Sequence, residues 1–393
     1  MSYLYFLFLR LVSYFEGENQ IIGFAIFLLL ITLSINYLIP KKLEKHTLVV
    51  FVNASIVGVA IIVHTLISSR EIALRDIAVV LLYLIWFIYI TLKFQSKTIN
   101  QALIFLLVSF SIYNFTNYVL FEMYHYDAKF GYNQTLSYFN ILDYYAIYPL
   151  SSGRNVNSSQ IGLMSILAIY FFKVERRLFI KVIFLAISLA HIYFLILADT
   201  RIAIGITLLF TIALFINFNK VVGLIKKYWK PALIAIIIFI LVFYLSPIFD
   251  FLKRDGELDP ENLNRIEIWT AALRVIFDDF RFLFGHGIHG FGENFPPEWI
   301  NFFLEQKLQT THNALFQYTV DFGVIGLAIY LLFFIKLLGL SLKINQRVIF
   351  VLLIAIFFYG ITESIPTFYS FEPTILFISL AAILFNKNDR KGN

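Results

Sequence analysis

The feature that most limits how this chain can fold is its succession of apolar runs. Segments of roughly 17 to 25 residues, each long enough to cross a hydrocarbon core about 30 Å thick as a helix, recur along the whole sequence. A membrane β-barrel would instead show alternating segments of about 10 residues, and these are absent. With 60% hydrophobic and 14% charged residues the 393-residue chain lies outside the range of a soluble globular domain. The sequence therefore predicts an all-α polytopic membrane protein, read as one integral membrane domain over residues 1–393. It contains no cysteine, which removes disulfides and thiolate metal sites. The first fifteen residues hold Arg10 but no charged leader and no small-residue cleavage site, so no cleaved signal peptide is expected.

Taken in order, spans are expected at about Gln20 to Ile39, Thr47 to Ile67, Ile77 to Leu92, Ile99 to Phe121, Ser159 to Phe172, Leu178 to Ala198, Ile202 to Phe218 and Pro231 to Phe249. Three more follow near Ala314 to Leu338, Val348 to Thr362 and Thr374 to Phe385. The count is eleven, or twelve if Tyr3 to Phe15 also crosses. Most of the 31 lysines and arginines fall on one face, among them Lys41, Lys42, Lys93, Lys173, Arg176, Arg177, Lys226, Lys227, Lys343 and Arg347. By the positive-inside rule that face is cytoplasmic, and it accounts for the net charge of +6 without a nucleic-acid partner. The opposite, extracytoplasmic face then receives the Asp199-Thr-Arg201 turn and two long polar loops, residues 122–157 and 250–313. The second is the longest interruption in the chain and is expected to hold short helices and to cap an active site.

The residues able to carry chemistry gather on that face. Arg201, at the outer end of a span, is either an interface anchor or an anion ligand. Arg265 shares a helical face with Trp269, Ala272 and Ile276, a mixed face that suits a helix lying on the membrane surface. Taken singly, Arg265 is equally explained by pairing with Glu261 or Glu267. A guanidinium makes paired hydrogen bonds to phosphate oxygens and keeps its proton, so two outer-face arginines meet the needs of a diphosphate. His312 follows Thr310 and Thr311, read as N-caps, and precedes a long helix. The positive end of a helix dipole favours neutral imidazole, which suits a general base; the plain alternative is an interfacial histidine bonded to its own cap. Glu363 beside Ser364 and Pro366 either lines a polar cavity or simply ends its helix, and Arg154 either positions a glycan or faces water. His286 and His289 have a spacing that metals use, but without cysteine and within a glycine turn they read as structural.

Five motifs in order resemble a known pattern: Asp199-Thr-Arg201, Asn264-Arg265-Ile-Glu-Ile-Trp269, Gly285-His-Gly287, Thr311-His312-Asn313 and Asp321-Phe-Gly323-Val-Ile-Gly326. Over about Leu178 to Phe385 the chain resembles the O-antigen ligase and O-antigen polymerase superfamily. The resemblance implies a GT-C-like membrane glycosyltransferase with a polyprenyl-diphosphate-linked oligosaccharide as donor, at the outer face of the bacterial cytoplasmic membrane. It further implies that Arg201 and Arg265 hold the diphosphate and that His312 activates the acceptor hydroxyl, with no cofactor and no metal. Asn313 would orient His312 or the acceptor, with Arg154, Trp269 and Glu363 in support. The acceptor is another lipid-linked repeat in a polymerase and a lipid A-core sugar in a ligase. Polymerase is favoured by the second outer loop with Arg154, which offers room for a second glycan, and such an enzyme is expected to work with a chain-length regulator. The product is O-antigen, capsule or exopolysaccharide. A transporter of the same lipid-linked glycan is the alternative of another class; it predicts midplane ionisable residues and paired broken helices.

Overall fold

The computed structural model describes residues 45–68, 74–94, 97–124, 154–216, 265–277, 280–288, 290–294, 310–368 and 370–388. The spans expected at residues 3–15, 20–39 and 231–249 lie outside the described residues. The described residues form helices α1 (Lys45–Ser68), α2 (Leu74–Phe94), α3 (Ile99–Tyr124), α4 (Arg154–Val174), α5 (Leu178–Leu197) and α6 (Arg201–Ala213). Then come α7 (Arg265–Phe277), a 3-10 turn (Phe280–Leu283), α8 (Gly290–Glu293), α9 (Ala314–Lys343), α10 (Arg347–Thr362) and α11 (Phe371–Asn388). No strand occurs among the described residues, and Ile99–Glu122, Leu178–Leu197 and Ala314–Lys343 are long and apolar enough to cross a membrane. The protein is an all-α polytopic membrane protein.

Two helix ends differ from the sequence expectation. The polar loop expected over 122–157 is shorter at both edges, because α3 continues to Tyr124 and α4 already begins at Arg154. The polar run Asn157-Ser-Ser-Gln160 is helical because the bundle buries it completely, and a buried backbone must bond internally. Elsewhere local chemistry sets the boundaries. At the start of α3 the Thr98 amide donates to Gln101 Oε1 and the Gln101 amide to Thr98 Oγ1, a reciprocal capping box.

The basic residues do collect at one end. Lys173 Nζ donates to Leu214 O, and Arg347 donates to the carbonyls of Ala213 and Ile216, so cations close the C-terminal end of α6. Asn386 donates to Thr91 O beside Lys93, whose ammonium sits 3.7 Å from the Phe105 ring centre. The opposite end is the one that carries Arg201. There Tyr359 of α10 donates to Ala203 O and meets Thr207 Oγ1 at 2.9 Å, both on α6. Gly162 of α4 lets these groups approach, since a Cβ there would strike Thr207 Oγ1 and the Tyr359 hydroxyl.

Helix α9 is broken at Gly323, whose φ of 67° and ψ of −174° lie outside the helical region. The break frees the carbonyls of Val320 and Asp321, which accept instead from the amides of His286 and Gly287, each at 2.8 Å. Each of these bonds, left unmade in a buried site, would cost about 1–3 kcal/mol. Two glycines make the contact possible: a Cβ on Gly285 would strike the backbone of Asp321 and Phe322, and one on Gly323 that of Leu283 and Phe284. Gly285-His-Gly287 and Asp321-Phe-Gly323 are thus two halves of one joint. The joint turns the chain sharply. Tyr318 and Tyr330 stack with ring centres 4.2 Å apart, although twelve residues of straight helix would separate them by about 18 Å. The limb 324–343 is long enough, at about 30 Å, to cross the core by itself, while 314–322 lies across the Arg201 end of the bundle.

Helix α7 sits on that short limb. Ile268, Ala271, Ala272, Val275 and Ile276 form a buried cluster with Val320 of α9 and Phe291 of α8, with Trp269 and Phe316 at its edge. The sequence expectation of a helix lying on the membrane surface is corrected accordingly. The apolar face of α7 is covered by protein, because the bend in α9 offers it a closer apolar partner than lipid. Gly323→Ala is expected to cost on the order of 2–3 kcal/mol, since it adds a left-handed strain and a backbone collision. Gly339→Ala, where no atom lies near the added methyl, is the control and should be neutral; thermal unfolding in detergent separates the two.

Candidate active site

The short limb of α9 begins at Asn313, and the site is assembled around that cap. Asn313 Oδ1 accepts from the Leu315 and Phe316 amides, at 2.8 and 3.2 Å, satisfying two orphan donors of the first turn. Asn313 Nδ2 donates to Ile361 O, and the Asn313 amide donates to Ser364 Oγ. One residue therefore caps α9 and ties it to the end of α10. The N-cap is Asn313 and not Thr310 or Thr311, because only the residue directly before the helix reaches its second and third amides. Thr311 instead braces the limb from outside the helix. Its hydroxyl donates to Asn313 O, and its amide donates to Gln317 Oε1, whose own amide donates to Asp321 Oδ1.

His312 is held between these anchors with φ of 49°, a left-handed conformation uncommon outside glycine. Its Nδ1 lies 3.0 Å from Glu363 Oε2. The carboxylate side chain is 7% exposed and the imidazole 37%, so the acid is enclosed and the ring reaches solvent. A carboxylate accepts only, so Nδ1 carries the proton of this bond, and Nε2 of the neutral ring is left as an acceptor. Glu363 is the first residue beyond α10 and is placed by its backbone, whose amide donates to Tyr359 O and whose carbonyl accepts from the Ile365 amide. Gly360, one turn back, permits the crossing, since a Cβ there would press on Ile365 O and Ala314 Cβ.

Arg201 stands at the same end. Tyr359 precedes Glu363 by one turn and donates to Ala203 O, which follows Arg201 by two residues, so Arg201 and Glu363 both lie just outward of one contact. Arg201 is exposed and is the first residue of α6. A cation at the positive end of a helix dipole is unfavourable, and an anion seated there gains from both. Arg265 is the first residue of α7, which the α9 joint fixes against Phe316, one turn beyond His312. The side chains of Arg265 and Arg154 lie outside the described residues. Trp269 is half-buried with its ring centre 5.8 Å from that of Phe316, and its indole N–H has no hydrogen-bond partner. His286 is buried, with Nε2 3.1 Å from Val275 O, while His289 lies outside the described residues.

The sequence presents Glu363 as a carboxylate that lines a polar cavity or ends its helix, without naming its partner. Spacing alone does not reveal its contact with His312, which spans 51 positions. The available signal is that α9 and α10 are consecutive helices joined by a tight turn, which sets them antiparallel; the bend at Gly323 then brings the start of α9 to the end of α10.

These features define a polytopic membrane protein with a carboxylate–histidine pair and an exposed arginine at one end of its bundle. Residues 184–331 match the family model described as O-Antigen ligase. That match supports assignment to the O-antigen ligase and polymerase superfamily. The matched span includes Arg201, Arg265, Trp269, His312 and Asn313, whereas Glu363 and Arg154 fall outside it. A comparison with curated proteins finds no match. Because Asn313 joins two helices, Asn313→Ala should lower stability by about 1–2 kcal/mol, while Asn313→Asp keeps the cap and loses only the bond to Ile361 O. Thermal midpoints of the two variants, measured side by side, test this ranking.

Proposed function

We propose that the protein is a glycan polymerase of the cytoplasmic membrane. It transfers a polyprenyl-diphosphate-linked glycan to a hydroxyl of another lipid-linked repeat on the extracytoplasmic face. The observation that carries this reading is the His312–Glu363 pair, with the imidazole exposed and the carboxylate enclosed.

His312 Nε2 takes the proton of the acceptor hydroxyl as its oxygen attacks the anomeric carbon of the donor. The bond from that carbon to the diphosphate oxygen breaks, the configuration inverts, and polyprenyl diphosphate leaves. Glu363 holds Nδ1–H, fixes the tautomer and stabilises the imidazolium that forms. The role of Arg201 and Arg265 is to balance the charge that develops on the departing oxygen. Trp269, whose buried indole N–H has no protein partner, packs on Phe316 and supports the helix face that carries Arg265. Residues 250–313 then act as the cap of the site, with α7 fixed against the short limb of α9. This chemistry asks nothing of a metal or cofactor.

The basic end of the bundle, with Lys173 and Arg347 on helix carbonyls, supports the sidedness, because His312 and Arg201 lie at the other end. A transporter would use a helix break to line a substrate path, yet the carbonyls freed at Gly323 are taken by His286 and Gly287. Transfer to lipid A-core, the ligase reaction, uses the same residues and differs only in the acceptor.

Purified protein supplied with its host's polyprenyl-diphosphate-linked repeat should yield a ladder of glycans. His312→Ala should abolish the ladder, and Glu363→Gln should slow it on the order of 100-fold with little change in membrane abundance. A ladder unaltered in His312→Ala would remove the general base from the mechanism. Transfer only when lipid A-core is added would assign the ligase reaction.

A further inference from the structure

Helices α3, α4 and α5 meet in the Arg201 half of the bundle, and their junction holds polar groups that the fold does not use. Asn114, Asn157, Gln160 and His191 are all at most 1% exposed. Both side-chain polar atoms of each of the three amides, and Nε2 of His191, have no hydrogen-bond partner. Such groups are normally satisfied, and within a membrane bundle an unpaired amide is costly and points to function.

Helical geometry brings the four together. On α5, Phe184, Ser188 and His191 share a face. Phe184 stacks on Phe171 of α4, and Ser188 Oγ meets Ser165 Oγ at 2.8 Å. His191 extends that stripe by one turn toward Arg201, opposite the turn of α4 that holds Asn157 and Gln160. Gln160 lies on the side of α4 opposite Gly162, and so away from Thr207 and Tyr359. On α3, Tyr113 reaches Glu372 of α11, and Phe115 packs on Phe194 of α5. Asn114 falls between them on the buried flank toward α4, while Ile112 and Val119 mark the exposed flank.

We propose that this junction is a carbohydrate subsite that binds hydroxyls of the glycan acceptor. The inference rests on the glycosyltransferase reading above and extends it. His191 Nδ1 lies 2.7 Å from Ile187 O, a bond that needs a proton on Nδ1, so Nε2 of the neutral ring is an acceptor. The amides each offer a donor and an acceptor, and none of the four groups is an ion. Sugar hydroxyls, which donate and accept at once, use every member of that set, whereas a phosphate would leave its acceptors unused and a metal ion its donors. Tyr118, stacked on Phe194 at 4.9 Å and edge-on to Tyr193, lies one turn outward of Asn114 and supplies the aromatic surface on which a sugar ring packs. The junction lies across α4 from Thr207 and Tyr359, away from the arginine that faces the donor diphosphate, so it suits the second glycan. The three helices close over the amides, and entry of a sugar requires their outer ends to part.

The test uses the full chain in detergent and the repeat-unit oligosaccharide cleaved from the host's surface polysaccharide, free of lipid and phosphate. Isothermal titration should show equal binding to the wild type and to Gly339→Ala, where the added methyl meets no atom. Asn157→Leu and Gln160→Met should weaken it at least tenfold without lowering the thermal midpoint, because each removes an unpaired buried amide. Asn114→Leu, on the facing helix, should do the same. Should these variants not accumulate, a diazirine-bearing form of the oligosaccharide must label peptides from 105–124, 154–174 or 178–197 in the wild type. Unchanged affinity in the variants, no binding to the wild type, or labelling only elsewhere overturns the subsite. A preparation that transfers glycan but shows no junction-dependent binding loses the subsite and keeps the enzyme. Junction-dependent binding without transfer to any acceptor keeps the subsite and overturns the enzyme reading.

Discussion

The joint between Gly323 and the Gly285-His-Gly287 turn is the constraint from which the rest of the site follows. A helix interrupted inside a membrane bundle must find new partners for its freed carbonyls, since lipid provides none. Here two loop amides supply them, and two glycines allow the backbones to meet. The bend lays the first limb of α9 across the end of the bundle, where α7 packs on it and where His312 and Glu363 come within hydrogen-bond distance. A straight α9 would carry Asn313 far from Ile361 and Ser364, and the pair would not form.

The site is built of parts that serve the fold and the chemistry together. Asn313 caps one helix and ties it to the next, and its neighbour is the histidine. Tyr359 joins α6 to α10 and thereby sets the ends that carry Arg201 and Glu363 at one level. His312 takes a left-handed backbone conformation that the surrounding bonds impose, and strain of this sort concentrates where a side chain must be aimed. The exposure of the ring beside an enclosed carboxylate follows from that aim.

Polar residues inside the bundle are used in different ways. Some bond within their own helix, as Thr91 does to Phe87 O, and others to a neighbouring helix, as Trp86 does to Ser379 and Tyr113 to Glu372, which fixes the register of the packing. The amides at the α3–α4–α5 junction lack such partners, and a fold alone gives no reason to keep them. Burial is also why α4 begins earlier than its polar composition predicts: Asn157 reads as the end of a loop in the sequence, yet it lies within α4 and is wholly enclosed with Ser158, Ser159 and Gln160.

Read as a linear pattern, the chain already specifies the solvent in which this protein folds, the helical class, the end of the bundle that is basic, and the residue types gathered at the other end. These follow from run length, composition and order, which are local properties. It also supplied the separate motifs around Arg201, Arg265, Gly285, His312 and Gly323. Packing in three dimensions is what makes the Gly285 and Gly323 motifs one joint, sets α7 on protein, makes Asn313 the cap and gives His312 its partner Glu363. Each of these depends on a contact between residues tens of positions apart, and such contacts are fixed by how a broken helix closes its hydrogen bonds, which no local pattern encodes.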